Sequence, residues 1–245
     1  MQKPITLGIL ETGIIDQHLI RIHGTYPDMF VKMYRDQDPN VIFKFYNVIE
    51  NHYPTDIDEC DAYLITGSKS DSFSDEPWVI TLRQYIRTLY SQSKSLIGVC
   101  FGHQAIAIAL GGQAQRSDKG WGIGVYNSQI ETQILQQKLP WLESQYQSFN
   151  ILVSHQDQVT KLPPGATLLA SNDFCPNSAF YIEDKVLCFQ GHPEISPGFA
   201  RGLMALRKDI IPKEVYQQGL DSSELPLHAD AVTRWMLNFI RLRMK

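Results

Sequence analysis

The sequence predicts an α/β protein built on a mainly parallel β-sheet, and two patterns support this fold class. Over roughly the first 110 residues, short apolar runs typical of buried strands alternate with segments whose apolar residues recur at helical spacing. Such alternation is typical of βαβ units, which place successive strands parallel to one another. Between residues 120 and 190 the pattern changes to short β-type runs separated by turn signals such as Leu162-Pro163-Pro164-Gly165, which indicates hairpins added to that sheet.

Four strands and three helices are predicted in the first part of the chain. The strands are Ile5–Leu10, Val41–Val48, Ala62–Thr66 and Leu96–Val99. The helices cover Pro27–Arg35, a segment that begins at Pro77, and Gly102–Ala109. The first two helices carry a proline in the first turn, where its missing N–H costs no hydrogen bond, and apolar residues along one face.

The rest of the chain is predicted to add β-hairpins and then helices. A β-type run falls within Gly120–Ile130, and four more are Ile151–Ser154, Thr167–Ala170, Ala179–Ile182 and Val186–Phe189. Near the end, four apolar residues are spaced as one helical face: Ala229, Val232, Met236 and Ile240. Because no repeat or long linker divides the chain, we predict a single domain over residues 1–245, with a helical C-terminal extension from about residue 200.

Composition and charge narrow the classes of function. The chain has 245 residues, a formal net charge of −4 and no Lys/Arg-rich run, so we expect no nucleic-acid partner. No stretch of about 18 apolar residues and no signal-peptide pattern occurs, so we expect a cytoplasmic protein without a membrane partner. The four cysteines lack metal-ligand spacing and are expected to be free thiols.

The segment Leu96–Gln104 carries the strongest chemical signal. An apolar strand runs into Gly98-x-Cys100-x-Gly102 and then into a helix, which is the pattern of a nucleophile elbow with cysteine in place of serine. The start of the helix stabilises a thiolate, and the N–H of Phe101 points to where an oxyanion would develop. The alternative is a buried cysteine in an α/β turn, but the strand before and the helix after favour the nucleophile.

A second segment, Val186–Glu194, offers a base and a carboxylate. An apolar strand ends close to His192, and Pro193 biases that histidine towards an extended conformation. In an extended chain residues i and i+2 share a face, so Glu194 can hold the tautomer of His192. The alternative is a histidine at a strand end beside a solvated glutamate.

Together the two segments resemble the class I glutamine amidotransferase family, in particular its free-standing members and the amidotransferase domain of GMP synthases. That family carries a Gly-x-Cys-x-Gly-His-Gln elbow and a late Phe-Gln-x-His-Pro-Glu strand, which stand here as Gly98–Gln104 and Phe189–Glu194. The resemblance covers roughly residues 5–200. It implies a flavodoxin-like sheet with helices on both faces, with Cys100 as nucleophile, His192 as general base and acid, and Glu194 as the orienting carboxylate.

The resemblance also implies residues that bind the oxyanion and the substrate. The loop Thr66-Gly67-Ser68 stands where the family places its second oxyanion N–H, although the usual pattern there is Gly-Gly-Pro. Phe101 provides the other N–H, and Gln104 matches the elbow glutamine that lines the substrate site. Weaker matches bound the glutamine pocket at Trp121, Ser154 and His155, and for Trp121 and His155 a packing role is an equal alternative.

The activity implied by the resemblance is hydrolysis of the γ-carboxamide of glutamine, or of a related γ-glutamyl amide, through a Cys100 thioester. The products are glutamate and ammonia, and no metal or organic cofactor is required. No Gly-x-x-x-x-Gly-Lys-Ser/Thr phosphate loop occurs. The chain could therefore be the amidotransferase subunit that serves a synthetase partner, or it could act alone on a small-molecule substrate.

Three alternatives stay open at this point. The loop Gly67–Asp71 and the segment Ser154–Asp157 look more like the free-standing members, some of which are γ-glutamyl peptidases; Lys69 would then meet a carboxylate of a γ-glutamyl peptide, or be a solvated loop lysine. A catalytically silent binding module is a second alternative, although all three triad residues are present. Cysteine proteases and redox chaperones share the elbow but lack His-Pro-Glu on a late strand.

Overall fold

A computed structural model describes residues 3–244. Within this range the strands are β1 (Thr6–Glu11), β2 (Ile42–Asn47), β3 (Ala62–Ile65), β4 (Ser95–Val99), β5 (Gln113–Arg116), β6 (Gly122–Ile130), β7 (Ser148–His155), β8 (Asp157–Lys161), β9 (Thr167–Ser171), β10 (Ala179–Ile182) and β11 (Val186–Phe189). The helices are α1 (Gln17–His23), α2 (Tyr26–Gln37), α3 (Pro77–Ser91), α4 (Phe101–Ala109), α5 (Thr132–Gln137), α6 (Pro197–Leu206), α7 (Lys213–Ser222) and α8 (Ala229–Arg241).

Nine strands form one twisted sheet in the order β2-β1-β3-β4-β11-β10-β9-β6-β7. The first five strands of this order are parallel to their neighbours. The other four continue the sheet with antiparallel pairings. The predicted α/β fold with a parallel sheet is confirmed, and the predicted hairpin strands are the ones that widen it.

Helices cover both faces of the sheet because successive strand residues point to opposite sides. In β3, Leu64 packs into the core that contains Phe30 of α2 and Trp235 of α8. Its neighbours Tyr63 and Ile65 pack into the opposite core, which contains residues of α3 and α4. The two cores hold the parallel strands rigidly between two helical layers.

Three neighbouring strands, β3, β4 and β11, end at the same edge of the sheet. Ile65 pairs with Gly98, and Val99 pairs with Phe189, so the segments that follow these strands emerge side by side. The carboxyl edge of parallel strands is where ligands bind in open α/β sheets. The fold therefore brings the Gly67 loop, the Cys100 elbow and the His192 segment to one place.

Some elements differ from the sequence prediction. The helix α1 was not predicted, because it is short and buries only Leu19; Asp16 caps it by accepting the N–H of His18. A separate two-stranded sheet of β5 and β8 was also missed, because Gln113–Arg116 is polar and mostly exposed. The segment after residue 200 is helical as predicted, and none of the described helices is long and apolar enough to cross a membrane.

Candidate active site

Cys100 occupies the sharp turn between β4 and α4. Its backbone has φ 53° and ψ −103°, a conformation that residues with a side chain rarely adopt. The turn is held by the Cys100 N–H, which donates to the carbonyl of Phe189 at 2.9 Å, and by the Gly102 N–H, which donates to the carbonyl of Thr66 at 3.1 Å. A Cβ at Gly102 would lie 2.2 Å from the carbonyl oxygen of Ile65, so only glycine fits there. The structure thus has the elbow geometry that the glycine spacing predicts.

His192 and Glu194 lie beside Cys100 at the end of β11. The His192 N–H donates to the carbonyl of Leu152 at 2.7 Å, which anchors the segment to β7. The ring atom Nδ1 of His192 is 2.7 Å from Oε1 of Glu194, and the ring and the Cys100 side chain both lie next to Gly67. All three residues are buried, with 5%, 5% and 7% of Cys100, His192 and Glu194 exposed. The structure brings together the three residues that the sequence singled out.

Electrostatics make His192 the cation of this group. Burial alone would lower the pKa of His192, but the charges of Glu194 and Cys100 and their hydrogen bonds outweigh burial and raise the pKa to about 10. The two other buried histidines nearby behave in the opposite way. Burial lowers the pKa of His155 to about 4 and that of His103 to about 3, so both are neutral at neutral pH. Of these three histidines, His192 is therefore the one that keeps a proton beside the sulfur of Cys100.

The loop after β3 passes directly over these side chains. A Cβ at Gly67 would lie 2.8 Å from Cε1 of His192 and 3.8 Å from Cβ of Cys100, so a larger residue would displace the histidine. Thr12, which the sequence reading did not select, fixes this loop: its hydroxyl lies 3.0 Å from the carbonyl oxygen of Thr66 and 3.1 Å from that of Gly67. Within residues 3–244, the N–H groups of Gly67 and Phe101 have no acceptor. Two free backbone donors therefore border Cys100.

A chain of two side-chain amides reaches the sulfur of Cys100. Nε2 of Gln104 donates to the carbonyl of Asp157 at 2.8 Å and to Oε1 of Gln190 at 3.2 Å. Nε2 of Gln190 lies 3.6 Å from the sulfur of Cys100. Gln104 is 3% exposed and borders the cleft from this position. Gln190 lies within the Phe-Gln-x-His-Pro-Glu motif, but its contact with sulfur depends on the pairing of β4 with β11 and was missed.

An open cleft leads from solvent to Cys100. Ser154 and Trp121 lie on its wall, and both contact Arg207 of the segment after α6. Nη1 of Arg207 donates to Oγ of Ser154 at 2.9 Å, and the guanidinium carbon lies 5.4 Å from the centre of the Trp121 ring. Arg207 was not found from the sequence. No motif marks it, and its position depends on how α6 packs against β7.

The remaining predicted residues are Ser68 and Lys69, which lie on the loop after β3, and His155, which ends β7. Ser68 borders the cleft and its Oγ accepts the N–H of Ser70 at 3.1 Å, while Lys69 is exposed at the rim. His155 lies on the wall but is buried, with Nδ1 3.0 Å from the carbonyl of Asp157 and its ring edge-on to Phe174. These contacts favour a packing role for His155.

Across the part of the chain that the structure describes, no group of three or more His, Cys, Asp or Glu is placed to hold a metal ion.

Comparison with known proteins identifies a family and relatives of this chain. The family model described as glutamine amidotransferase class-I matches residues 42–208. The chain is 33% identical to gamma-glutamyl peptidase 2 of Arabidopsis thaliana over 79% of this chain and 78% of that protein. It is 28% identical to a glutamine amidotransferase-like protein of Gibberella zeae, over 85% of this chain and 86% of that one.

The fold has a close counterpart among solved structures. A glutamine amidotransferase from Thermotoga maritima superposes with a TM-score of 0.72 and covers 99% of both chains, at 17% sequence identity. At that identity the likeness concerns the fold alone. The likeness extends over the antiparallel strands and the last helices, because the superposition includes nearly all of both chains.

Proposed function

This chain belongs to the class I glutamine amidotransferase family, and we propose that it hydrolyses the γ-amide bond of glutamine or of a related γ-glutamyl compound through a Cys100 thioester. The observation that carries the proposal is the group formed by Cys100, His192 and Glu194. Its cysteine stands in an elbow at φ 53°, and its histidine is fixed 2.7 Å from a buried carboxylate. A nucleophile, a base and a group that orients the base are the elements of a catalytic triad.

In the first half of the proposed reaction, the sulfur of Cys100 attacks the γ-carbonyl carbon. The carbonyl oxygen becomes an oxyanion that the N–H groups of Gly67 and Phe101 stabilise. The carbon–nitrogen bond then breaks, and His192 gives its proton to the leaving amine. The result is a γ-glutamyl thioester on Cys100 and a free amine, which is ammonia when the substrate is glutamine.

In the second half, water replaces the amine. His192, now neutral, takes a proton from the water as it attacks the thioester carbon. The carbon–sulfur bond breaks, glutamate leaves, and the thiolate and imidazolium pair is restored. Glu194 keeps the Nδ1 proton of His192 in place through both halves, so that the other ring nitrogen does the proton transfer.

A second candidate function is that of a γ-glutamyl peptidase. It is favoured by the relatives that carry this name, at 33% and 34% identity over most of the chain. The chemistry at Cys100 is the same in both cases, and only the leaving amine differs. A subunit that needs a synthetase partner and a silent binding module are the remaining alternatives, and a cytoplasmic location stays a prediction.

The test is hydrolysis by the purified chain. Glutamate release is measured with glutamine and with a panel of γ-glutamyl dipeptides, for the wild type, Cys100→Ala and Cys60→Ala. Cys60 is a buried cysteine that does not border the cleft, so its variant is a matched control. We expect turnover in the wild type and in Cys60→Ala and none in Cys100→Ala. Turnover that survives Cys100→Ala would contradict the proposal, and no turnover of any compound would favour a partner-dependent subunit or a silent module.

A further inference from the structure

A second recess adjoins the cleft and is larger than it. We call it the side groove: its apolar lining includes Ile14, Phe199, Leu203 and Leu206, and it shares Lys69 and Arg207 with the cleft. The two spaces therefore lie next to each other, with these two cations on their shared border. No motif pointed to this groove, and the proposed hydrolysis of glutamine does not use it.

The relative sizes of the two spaces constrain the substrate. The cavity volume is about 90 Å³ in the cleft and about 280 Å³ in the side groove. The groove is close to the lower limit of about 300 Å³ for small-molecule sites. With a γ-glutamyl group in the cleft, the adjoining groove offers room for a leaving amine larger than ammonia.

The side groove exposes apolar side chains in a fixed position. Ile14 is 69% exposed and Leu206 is 51% exposed. Ile14 follows Gly13, where a Cβ would lie 2.5 Å from the carbonyl oxygen of Gly67. The loop that carries Ile14 therefore packs tightly on the loop after β3, which we call the oxyanion loop. An apolar surface that is preformed beside a reactive cysteine is typical of a ligand site.

The border between cleft and groove is cationic. Within residues 3–244, neither Lys69 nor Arg207 forms an ion pair, whereas Arg116 of the same cleft pairs with Asp71 and Asp157. Asp16, the acidic residue of the groove lining, has one carboxylate oxygen engaged in capping α1. Two unpaired cations favour a ligand that carries a carboxylate beside its apolar part.

We propose that the side groove binds the amine portion of the substrate, and that the preferred substrates are γ-glutamyl amides of apolar amino acids. The apolar side chain contacts Ile14 and Leu206, and the carboxylate of the same amino acid meets Lys69. This inference rests on the proposed function, in which Cys100 cleaves the γ-amide bond. His192 supplies the proton with which the amino acid leaves, and the amino acid departs through the groove.

The experiment compares γ-glutamyl-leucine with γ-glutamyl-glycine in two ways. Binding to the Cys100→Ala protein is measured by calorimetry, and kcat/KM is measured for the wild type. Burial of a leucine side chain predicts a preference of about 10-fold or more for the leucine compound in both. In the double variant Ile14→Gln/Leu206→Gln the ratio of the two kcat/KM values is expected to fall at least about 5-fold. The ratio is the informative quantity, because a general defect would lower both values alike and leave it unchanged. Ile210→Gln is the matched control, because Ile210 is 64% exposed outside the groove.

The outcomes separate this inference from the proposed function. Hydrolysis that depends on Cys100 but shows no preference for leucine, or a preference that the double substitution leaves intact, overturns the side-groove assignment and leaves the proposed function standing. A leucine preference in binding without any turnover supports the groove and overturns the proposed function. Equal binding of both compounds without turnover overturns both.

Lys69 is tested with a substrate that lacks the carboxylate. The wild type is expected to prefer γ-glutamyl-leucine to γ-glutamyl-leucinamide by about 10-fold, the order of effect of one charge-assisted hydrogen bond. Lys69→Gln is expected to remove most of that preference. Lys161→Gln, at the exposed far end of β8, is expected to keep it. An unchanged preference in Lys69→Gln would overturn the contact between Lys69 and the carboxylate.

Discussion

The two sides of the cleft are built in different ways. On one side Cys100, His192 and Glu194 are buried. The Cys100 N–H donates to Phe189 of β11, and the His192 N–H donates to Leu152 of β7. On the other side Lys69 and Leu206 lie on a loop and at a helix end, and both are exposed. The first side places its reactive groups in buried, hydrogen-bonded positions, whereas the second presents exposed apolar and cationic side chains to a ligand.

This difference in construction separates the residues proposed to carry out the reaction from the residues proposed to select the substrate. Central strands with a rigid core on both faces can hold a strained cysteine and a buried ion pair. Loops and helix ends change at little cost to the core, so they are where substrate preference can vary. Substitutions on the buried side are therefore expected to change rate, and substitutions on the exposed side to change which compound reacts.

The largest effect is expected at His192. Replacing it with asparagine removes the histidine whose raised pKa keeps a proton beside Cys100, so kcat is expected to fall about 10⁴-fold or more, as when one member of a triad is removed. His103→Asn is the matched control: His103 is equally buried, but it packs against Phe180 and does not border the cleft. Steady-state rates of both variants are measured with glutamine or a γ-glutamyl dipeptide. A similar loss of kcat in the two variants would contradict a role for His192 that His103 lacks.

Glu194→Gln is expected to have the next largest effect. It removes the charge that raises the pKa of His192, and kcat/KM is expected to fall by about 10²–10⁴-fold. The same substitution should change the pH dependence of stability. In the wild type the folded pKa of His192 is about 10 and the unfolded pKa is about 6.5, so the stability contributed by His192 is complete below pH 6.5 and is lost as the pH rises towards 10.

Urea unfolding at pH 6, 8 and 10 measures this linkage. The free energy of unfolding of Glu194→Gln is expected to change less over this range than that of the wild type, because its His192 loses the proton at lower pH. Equal pH dependence of the two proteins would mean that Glu194 is not what holds the proton on His192.

A smaller effect is expected at the oxyanion loop. In Gly67→Ala the new Cβ would lie 2.8 Å from Cε1 of His192, so the ring or the loop must shift. Displacing one oxyanion donor costs about 10²–10³-fold in kcat. Gly198→Ala is the control, because the nearest atom to its Cβ would be 3.3 Å away on His23, outside the cleft. A Gly67→Ala protein with unchanged kcat would place the oxyanion donors elsewhere.

The sequence predicted the buried side of the cleft far better than the exposed side. The elbow and the His-Pro-Glu segment are local patterns, in which glycine spacing and strand alternation determine where each side chain points, so the residues of the group around Cys100 were found. Thr12, Gln190 and Arg207 were missed because their contacts join strands and helices that are distant in the chain. The fold class and the family were predicted correctly, whereas the roles of the individual residues stay predictions until activity is measured.

The smallest predicted effect tests whether the buried side stores strain for the sake of chemistry. At φ 53° a residue with a Cβ is disfavoured by about 1 kcal/mol or more relative to glycine. Cys100→Gly is therefore expected to be more stable than Cys100→Ala by about 1 kcal/mol, although neither has a nucleophile. At Cys60, where φ is −128°, the order is expected to reverse, with Gly less stable than Ala by about 0.5–1 kcal/mol. Urea unfolding of the four variants measures both differences. If the glycine variant were the less stable one at both positions, the backbone of the elbow would not be strained at Cys100.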